Sequence, residues 1–205
     1  MLRMIIGGLA ILATAAVFAF LVVFKTYRIP TESMAPTIPA GSAVLMNRWA
    51  KDVQRGDLLV FRFPLDPKTT LAKRVVGLPC DTIEIRDKQL FVNGAPANEP
   101  YVIHSDPVIY PREAGLPEPY ASRDQFGPLV VPVGHYFVLG DNRDRSNDSR
   151  FIGPIEADAM LGRVALIVSE KGFVRPPRPP VLASLPACRS IMFAPPAEPL
   201  TTPAR

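Results

Sequence analysis

The chain has 205 residues, with 48% hydrophobic and 20% charged side chains and a formal net charge of +4 at pH 7. This composition is typical of a globular or membrane protein and excludes a disordered chain. The basic residues form no run of five or six, so we expect no nucleic-acid partner. The 24 prolines are about twice the usual share of roughly 5%, which favours turns and irregular segments over long helices.

The first predicted element is an uncharged apolar segment, Met4–Phe24. As a helix it is long enough to cross a hydrocarbon core of about 30 Å. A cleaved secretory signal is the alternative, but the segment is longer than the apolar core of such signals and no Ala-x-Ala follows it. We therefore predict a retained anchor over residues 1–28, with the lipid bilayer as a partner. Basic residues flank it on both sides, so the positive-inside rule does not give its orientation.

Beyond the anchor, short apolar or alternating stretches are separated by Pro, Gly, Asn and Asp, as between antiparallel strands. The predicted strands are Ser42–Asn47, Asp57–Phe63, Thr70–Val76, Thr82–Arg86, Gln89–Val92, Val130–Val133, Tyr136–Leu139 and Arg163–Val168. A hairpin between residues 85 and 90 and the turn signal Asn93-Gly94 predict an antiparallel ribbon here. The expected fold is mainly β, an antiparallel sheet or barrel behind one N-terminal transmembrane helix.

Composition also predicts the domain organisation. One β domain is expected over residues 29–173, with an inserted excursion rich in Pro and polar residues at about 90–132. Residues 174–205 are expected to be an extended or disordered tail, because neither helix nor strand tolerates its paired prolines.

Two cysteines, Cys80 and Cys188, lie far apart, with no CxxC or His-rich pattern near them. We expect no metal site and no cofactor. In an oxidising compartment the two thiols would be able to form a disulfide. Because Cys188 lies in the irregular tail, two free thiols are the preferred interpretation.

Ser33 lies in a short segment that Pro30 and Pro36 bracket and stiffen. A serine hydroxyl becomes a strong nucleophile when a base removes its proton, and a stiff exposed loop would present it for this chemistry. By composition alone, a turn that connects the helix to the sheet is the stronger interpretation.

Lys73 and Arg74 interrupt an otherwise apolar predicted strand. Successive strand residues face opposite sides, so one of the two should point inward. Desolvation lowers the pKa of a buried lysine and supplies a neutral amine that can act as a base. Taken alone, an edge strand with both charges in solvent is the stronger interpretation.

The segment Gly140–Arg150 is far more polar than its neighbours. Its carboxylates, hydroxyls and guanidinium groups predict a hydrogen-bonded network. A solvated loop and a calcium loop are alternatives, but the twelve-residue calcium pattern and its terminal Glu are absent. The segment Gly56–Phe61 is expected to be structural, a turn that enters a buried strand.

In this order, the four segments closely resemble the motifs of bacterial type I signal peptidases, from Ile29 to about Val168. The strongest matches are Pro30–Thr37, Lys73–Pro79 and Gly140–Asp144, followed by Ser146, Asp148, Ser149 and Arg150. Three matches in the right order behind an apolar anchor overturn the simpler interpretations of Ser33 and Lys73.

The resemblance implies a serine endopeptidase with Ser33 as nucleophile and Lys73 as general base. It assigns the oxyanion to the backbone N–H of Ser33 and to the hydroxyl of Thr31, where Ser is more common. The positions that support the dyad match Ser146, which would orient the lysine, and the ion pair Asp148 and Arg150.

The implied substrates are the signal peptides of preproteins, bound as an added extended strand and cut after Ala-x-Ala-like sites. The residues that would line shallow pockets for small side chains are Ile29, Met34, Ile38 and Ala72. The implied location is the bacterial inner membrane, crossed once, with the catalytic domain on the extracytoplasmic side.

Two residues depart from the family pattern. Glu32 stands where glycine is frequent, and its carboxylate would stabilise protonated Lys73 if it faced the dyad. Because Glu32 is adjacent to Ser33 in an extended segment, it should point away. Cys80 also stands at a usual glycine position, where a positive φ would strain it.

Two other functions stay open. One is a specialised Ser/Lys peptidase that processes pilus or conjugation substrates or cleaves itself like the SOS repressors, although the anchor argues against a repressor. The other is a non-catalytic anchored β module that binds extended peptides at a sheet edge, against which the intact dyad argues. His104 and His135 lie outside the matched motifs, and we expect both to be surface or packing residues.

Overall fold

The computed structural model describes residues 2–50, 52–112, 116–170 and 172–177, in which an N-terminal helix precedes two antiparallel sheets. The helices are α1 Leu2–Val23, α2 Tyr120–Arg123 and α3 Ser149–Ile152, with 3-10 turns at Glu32–Met34, Arg143–Arg145 and Ala157–Ala159. The strands are β1 Phe24–Arg28, β2 Ala43–Asn47, β3 Leu58–Phe63, β4 Asp66–Gly77, β5 Thr82–Arg86, β6 Gln89–Val92, β7 Ala95–Pro96, β8 Phe126–Val130, β9 His135–Leu139, β10 Ile155–Glu156, β11 Met160–Ser169 and β12 Gly172–Val174. Cys188 and the predicted tail beyond residue 177 lie outside the described residues.

Helix α1 is apolar on every side and does not pack on the sheets. Its segment Ile6–Val23 is 0% buried, and Leu12 and Phe18 are 68% and 70% exposed. A helix that is apolar all round needs nonpolar surroundings. Its length and composition suit a membrane span, as predicted from the sequence.

Strand β1 follows α1 without a linker and pairs with β2 over its whole length, from Phe24 opposite Asn47 to Arg28 opposite Ala43. The apolar pattern does not predict this strand, because its residues alternate without an apolar face. Backbone pairing with β2 determines it. The same residues were expected to be the flank of the anchor.

The larger sheet runs in the order β1-β2-β11-β3-β4-β9-β10, with β12 added beside β11. It is an open sheet, so of the two expected forms the sheet is confirmed and the closed barrel is not. Strand β4 lies between β3 and β9. The edge-strand interpretation of Lys73 and Arg74 is therefore wrong, and both side chains are buried.

The smaller sheet runs in the order β7-β6-β5-β8. The hairpin between β5 and β6 turns at Asp87 and Lys88, whose φ angles of 48° and 68° suit the tight hairpin turns that match strand twist. Asn93 and Gly94 form the next turn with φ angles of 55° and 79°. Both predicted turns are confirmed.

The predicted strand Val130–Val133 is wrong in position, because β8 ends at Val130. Val131 instead forms hydrogen bonds with the turn between β4 and β5. Its N–H donates to the Asp81 carbonyl, and its carbonyl accepts from the Cys80 N–H. The Gly127-Pro128 pair inside β8 hides the strand from sequence patterns, because both residues are disfavoured in strands.

Cys80 lies in the turn between β4 and β5 with a φ of 70°, a left-handed conformation that favours glycine. The strain expected for a cysteine at this position is present. Cys80 is also disulfide-bonded, so the expectation of a free thiol is wrong for this residue.

Candidate active site

Ser33 lies in the 3-10 turn Glu32–Met34. The segment is held to the sheet because the Ile29 N–H donates to the Ser42 carbonyl at 2.8 Å. Met34 and Ile38 anchor it in the core, since neither has any exposed surface. Ser33 itself is only 7% exposed, so the loop is stiff as expected but does not expose its serine.

The central contact of the site joins Ser33 to Lys73. The Lys73 Nζ donates to the Ser33 Oγ at 2.6 Å, and the Thr31 Oγ1 lies 3.1 Å from the same oxygen. Three residues predicted from separate positions therefore meet around one hydroxyl. A base within hydrogen-bond distance of a serine is the geometry that nucleophilic catalysis requires.

Lys73 is 2% exposed, and its position in the middle of the sheet changes its acidity. Burial lowers the pKa of its amine to about 8, although the charge of Asp148 opposes this shift. The charge of Arg150 lowers the pKa further. Below about pH 8 the amine is protonated, and above it the amine is neutral and able to accept a proton.

Asp148 and Arg150 form the ion pair that was predicted to support the dyad. The Arg150 Nε and Nη2 donate to the two carboxylate oxygens of Asp148, both at 2.9 Å. The Gly140 N–H donates to the same carboxylate at 3.0 Å. Burial alone would raise the pKa of Asp148, but Arg150 and these hydrogen bonds hold it below its usual value.

Ser146 and Gly140 pack closely beside the nucleophile. A Cβ on Gly140 would lie 2.2 Å from the Ser146 Oγ and 2.5 Å from the Ser33 carbonyl oxygen, so only glycine fits there. The Ser146 hydroxyl is buried and makes no hydrogen bond of good geometry to the described residues, although its interaction with Asp148 helps to lower the pKa of that carboxyl. The predicted contact from Ser146 to Lys73 is therefore not made in this structure.

Arg74 has a structural role that sequence reasoning missed. Its guanidinium binds both carboxylate oxygens of Asp141, at 2.8 and 2.7 Å, and lies 3.9 Å from the ring centroid of Tyr101. It also donates to the Thr37 Oγ1 at 3.3 Å. Arg74 thus joins β4 to the nucleophile segment and to the polar loop. The sequence feature that could have indicated this role is the charge of Arg74, the second charged residue in an otherwise apolar predicted strand.

An ion pair joins the polar loop to the β5–β6 hairpin, and a hydrogen bond joins it to α2. The Lys88 Nζ contacts the Asp144 Oδ1 at 3.0 Å, and the Arg150 Nη1 donates to the Arg123 carbonyl at 2.8 Å. The predicted polar network over residues 140–150 is present. The carboxylates considered for calcium do not converge, because each faces a different cation: Asp141 faces Arg74, Asp144 faces Lys88 and Asp148 faces Arg150.

Glu32 points away from the dyad as expected, although it lies in a 3-10 turn and not in the extended segment on which the expectation rested. Its Oε2 lies 2.7 Å from the Arg145 Nη1, and the two side chains are 57% and 63% exposed. An exposed ion pair of this kind contributes little to stability. The pair nevertheless directs the Glu32 carboxylate to Arg145 and not to Lys73.

The four predicted pocket residues, Ile29, Met34, Ile38 and Ala72, lie in one buried cluster. Ile29 and Ala72 are 7% and 5% exposed, and the lining role of all four stays a prediction. Neither histidine is joined to Ser33. His104 lies 3.7 Å from Asp144, and the half-buried His135 ring contacts the Val133 carbonyl.

Comparison with known proteins gives consistent matches. The family model described as signal peptidase, peptidase S26, matches residues 2–169. Signal peptidase I of Pseudomonas fluorescens is 36% identical over 156 residues, which cover 62% of the chain and 55% of the relative. The chain thus spans about half the length of this curated relative. Signal peptidase I V of Bacillus subtilis is 39% identical over 148 residues, which cover 70% of the chain and 84% of the relative.

Among solved structures, a crystal structure of a signal peptidase I from Enterococcus faecalis is 32% identical to the chain. The match covers 56% of this chain and 98% of that one, with a TM-score of 0.43.

The electrostatics of Lys73 predict how its pKa responds to substitution. With ¹³C-labelled lysine, NMR titration should give a midpoint of about 8 for Lys73. Asp148→Asn should lower this midpoint, because it removes a charge that stabilises the protonated amine and leaves the Arg150 charge unopposed. The exposed Asp66→Asn is the matched control and should cause no shift.

Since a lone buried charge is destabilising, Asp148→Asn is compared with the double variant Asp148→Asn/Arg150→Met. The double variant should shift the midpoint less, because it removes two opposing charges. A midpoint that rises in Asp148→Asn would contradict this account of the site.

Proposed function

Because the chain belongs to the signal peptidase, peptidase S26, family, we propose that it is a membrane-anchored serine endopeptidase that removes signal peptides from exported preproteins. Cleavage follows an Ala-x-Ala-like site. The observation that best supports this proposal is the 2.6 Å contact between a buried lysine amine and a buried serine hydroxyl. Burying an apolar residue at this position would cost less free energy than burying a lysine, so folding alone does not explain why a lysine is present.

In the proposed reaction, neutral Lys73 takes the proton from the Ser33 hydroxyl while the Ser33 Oγ attacks the scissile carbonyl carbon. The tetrahedral intermediate collapses as protonated Lys73 gives its proton to the leaving amine. This leaves the signal peptide esterified to Ser33. Water, deprotonated by Lys73, then hydrolyses the ester and restores the free hydroxyl.

The oxyanion of each tetrahedral intermediate is bound by the Ser33 N–H and the Thr31 hydroxyl. The 3.1 Å distance between the Thr31 Oγ1 and the Ser33 Oγ supports this role, because the donor already lies beside the attacking atom. The Ser146 hydroxyl is buried next to Gly140, and this position supports its assignment as a residue that orients the Lys73 amine.

The small exposed surface of the predicted pocket residues determines which substrate side chains can bind. Of the four predicted pocket residues, Ile29 and Ala72 have 7% and 5% of their surface exposed, so a pocket lined by them is shallow and apolar. Shallow pockets accept alanine and exclude larger side chains by overpacking. The signal peptide binds in extended conformation, as strand addition requires.

The proposed location is the bacterial cytoplasmic membrane, crossed once by α1, with the catalytic domain on the extracytoplasmic side. The bilayer is thus a partner of the chain. The disulfide at Cys80 supports this orientation, because disulfides persist in oxidising compartments such as the periplasm and rarely in the cytosol. The charges that flank α1 could not decide the question.

The dyad is tested with a purified Ala-x-Ala preprotein in detergent. Wild type should cut after the second Ala, and Ser33→Ala and Lys73→Ala should each lower kcat by at least about 10³-fold. Lys68→Ala, at an exposed position, and Ser122→Ala, at a half-buried position outside the site, are the matched controls and should cut at the wild-type rate. Circular dichroism checks that each variant is folded.

Full activity in folded Lys73→Ala would show that another group is the base and would reject the mechanism. If folded wild type cuts no Ala-x-Ala substrate, the non-catalytic peptide-binding module becomes the better interpretation.

The oxyanion role predicts a graded effect at Thr31. Thr31→Val keeps the shape of the side chain and removes its hydroxyl, and it should lower kcat by about 10²–10³-fold, the usual cost of one oxyanion donor. Thr31→Ser keeps the hydroxyl and should retain activity within about tenfold. Melting temperatures separate this loss from unfolding, and equal turnover by Thr31→Val and wild type would exclude the role.

A further inference from the structure

A cavity of about 480 Å³ opens where α1 meets the larger sheet. Its walls come from the adjacent strands β1, β2, β11 and β3 and from the turn that follows β2. The residues that line it are Lys25, Tyr27, Met46, Arg48, Trp49, Arg62, Met160 and Leu161. Its volume lies in the usual range of ligand pockets, roughly 300–1,000 Å³, and the proposed reaction uses none of these residues.

The cavity is lined by three cationic side chains, those of Lys25, Arg48 and Arg62, and no described Asp or Glu lines it. Within the described part of the chain, no salt bridge joins these cations to a carboxylate. The Arg48 Nη1 donates to the Val22 carbonyl at 3.3 Å, and the Lys25 Nζ lies 4.9 Å from the centre of the Tyr27 ring. Positive charges that the protein does not balance attract an anionic ligand.

The end of α1 sets the level of this cavity relative to the proposed membrane. The apolar segment Ile6–Val23 has 18 residues, so as a helix it is about 27 Å long, close to the ~30 Å of a hydrocarbon core. Lys25 follows two residues later, and the Arg48 N–H donates to the Val23 carbonyl at 2.9 Å. Both residues therefore lie just outside the hydrocarbon, at the level of the lipid headgroups.

Tyr27 and Trp49 bring aromatic rings to the same level. Tyrosine and tryptophan are enriched where hydrocarbon meets water, because their rings have both an apolar body and a polar group. Trp49 is the one tryptophan of the chain, and it is 67% exposed. Its backbone N–H donates to the Asn47 Oδ1 at 2.9 Å, which holds the turn that carries the ring beside the cavity.

The proposed orientation makes the three cations unusual. With the catalytic domain on the extracytoplasmic side, Lys25 and Arg48 flank the end of the span at which the positive-inside rule disfavours lysine and arginine. A ligand that requires these charges explains why they are present there.

We propose that Lys25, Arg48 and Arg62, with Tyr27 and Trp49 beside them, bind the phosphate headgroup of an anionic phospholipid in the leaflet next to the catalytic domain. Arginine binds phosphate oxygens through paired N–H donors, and lysine binds them as a point charge. A free phosphate ion has the same chemistry, but the level of the cavity favours the lipid, because the membrane holds its headgroups there. The inference rests on the membrane anchor of the proposed function and not on the proposed cleavage.

The site is tested with the full chain in phosphatidylcholine vesicles that contain phosphatidylglycerol as a minor component. Because the chain has one tryptophan, its fluorescence reports the surroundings of Trp49 alone. Phosphatidylglycerol with brominated acyl chains should quench this fluorescence more strongly than the same fraction of brominated phosphatidylcholine, since headgroup binding concentrates the anionic lipid beside Trp49. Titration of the brominated phosphatidylglycerol gives its apparent Kd.

Substitution of the cations should remove this preference. Arg62→Gln changes an exposed side chain and should raise the apparent Kd about fivefold, the usual effect of one basic residue at an anionic membrane surface. Lys25→Gln/Arg48→Gln/Arg62→Gln should abolish the difference between the two brominated lipids. Circular dichroism checks folding, and Arg62→Gln alone tests the site if the triple variant does not fold.

The matched control is Arg28→Gln/Lys68→Gln/Arg86→Gln, which removes the same charge from exposed positions outside the cavity. This variant should keep the preference for the anionic lipid. A loss of preference as large as in the other triple variant would overturn the site, because the attraction would then come from the overall charge.

Equal quenching of the wild type by the two brominated lipids would also overturn the site, because the three cations would then be hydrated and without a bound lipid. Inorganic phosphate added to phosphatidylcholine vesicles should leave the Trp49 emission unchanged. A saturable change would assign the cavity to a soluble phosphate and overturn the lipid. A protein that prefers the anionic lipid and cleaves nothing would support the site and count against the proposed reaction alone.

Discussion

The structure depends on keeping one lysine amine out of water at hydrogen-bond distance from a serine hydroxyl. Lys73 can be buried there because β4 lies inside the larger sheet and not at its edge. Desolvation brings the pKa of Lys73 down to about 8, so a neutral amine is accessible in mildly alkaline solution. The Asp148 charge prevents a larger fall. Burial thus favours the neutral amine, and the nearby carboxylate limits how acidic the ammonium becomes.

The charged residues around the Lys73 amine are buried as well, and they are buried in pairs because an unpaired buried charge is destabilising. Arg74 with Asp141 and Arg150 with Asp148 lie almost wholly out of solvent, and breaking such a pair from one side typically costs about 3–5 kcal/mol. Lys88 of the β5–β6 hairpin and Arg123 of α2 extend this network, since both contact Asp144 of the polar loop. The buried charges of the polar loop therefore have fixed positions, because each of them faces an opposite charge.

The sequence predicted those features that depend on local chemistry or on a family motif. Ser33 and Lys73 were identified by resemblance, and the turn at Asn93-Gly94 by the tolerance of these residues for positive φ. Pairing between distant segments could not be predicted. Strand β1 has no apolar period to reveal it, and the pairing of Arg74 with Asp141 depends on a fold that joins residues 67 positions apart. The disulfide at Cys80 was the less favoured of two alternatives, because the sequence around this residue has no CxxC or other paired-cysteine pattern.

The junction between α1 and β1 has a geometrical consequence. The helix ends at Val23 and the strand begins at Phe24, and Arg48 of the neighbouring chain segment binds the last helical carbonyls through its N–H and its guanidinium. No linker separates α1 from the sheet. From residue 23 to residue 33 the chain can extend at most about 35 Å. If α1 spans a membrane and Ser33 is the nucleophile, as proposed, this length limits how far from the membrane surface a peptide bond can lie and still be reached by Ser33.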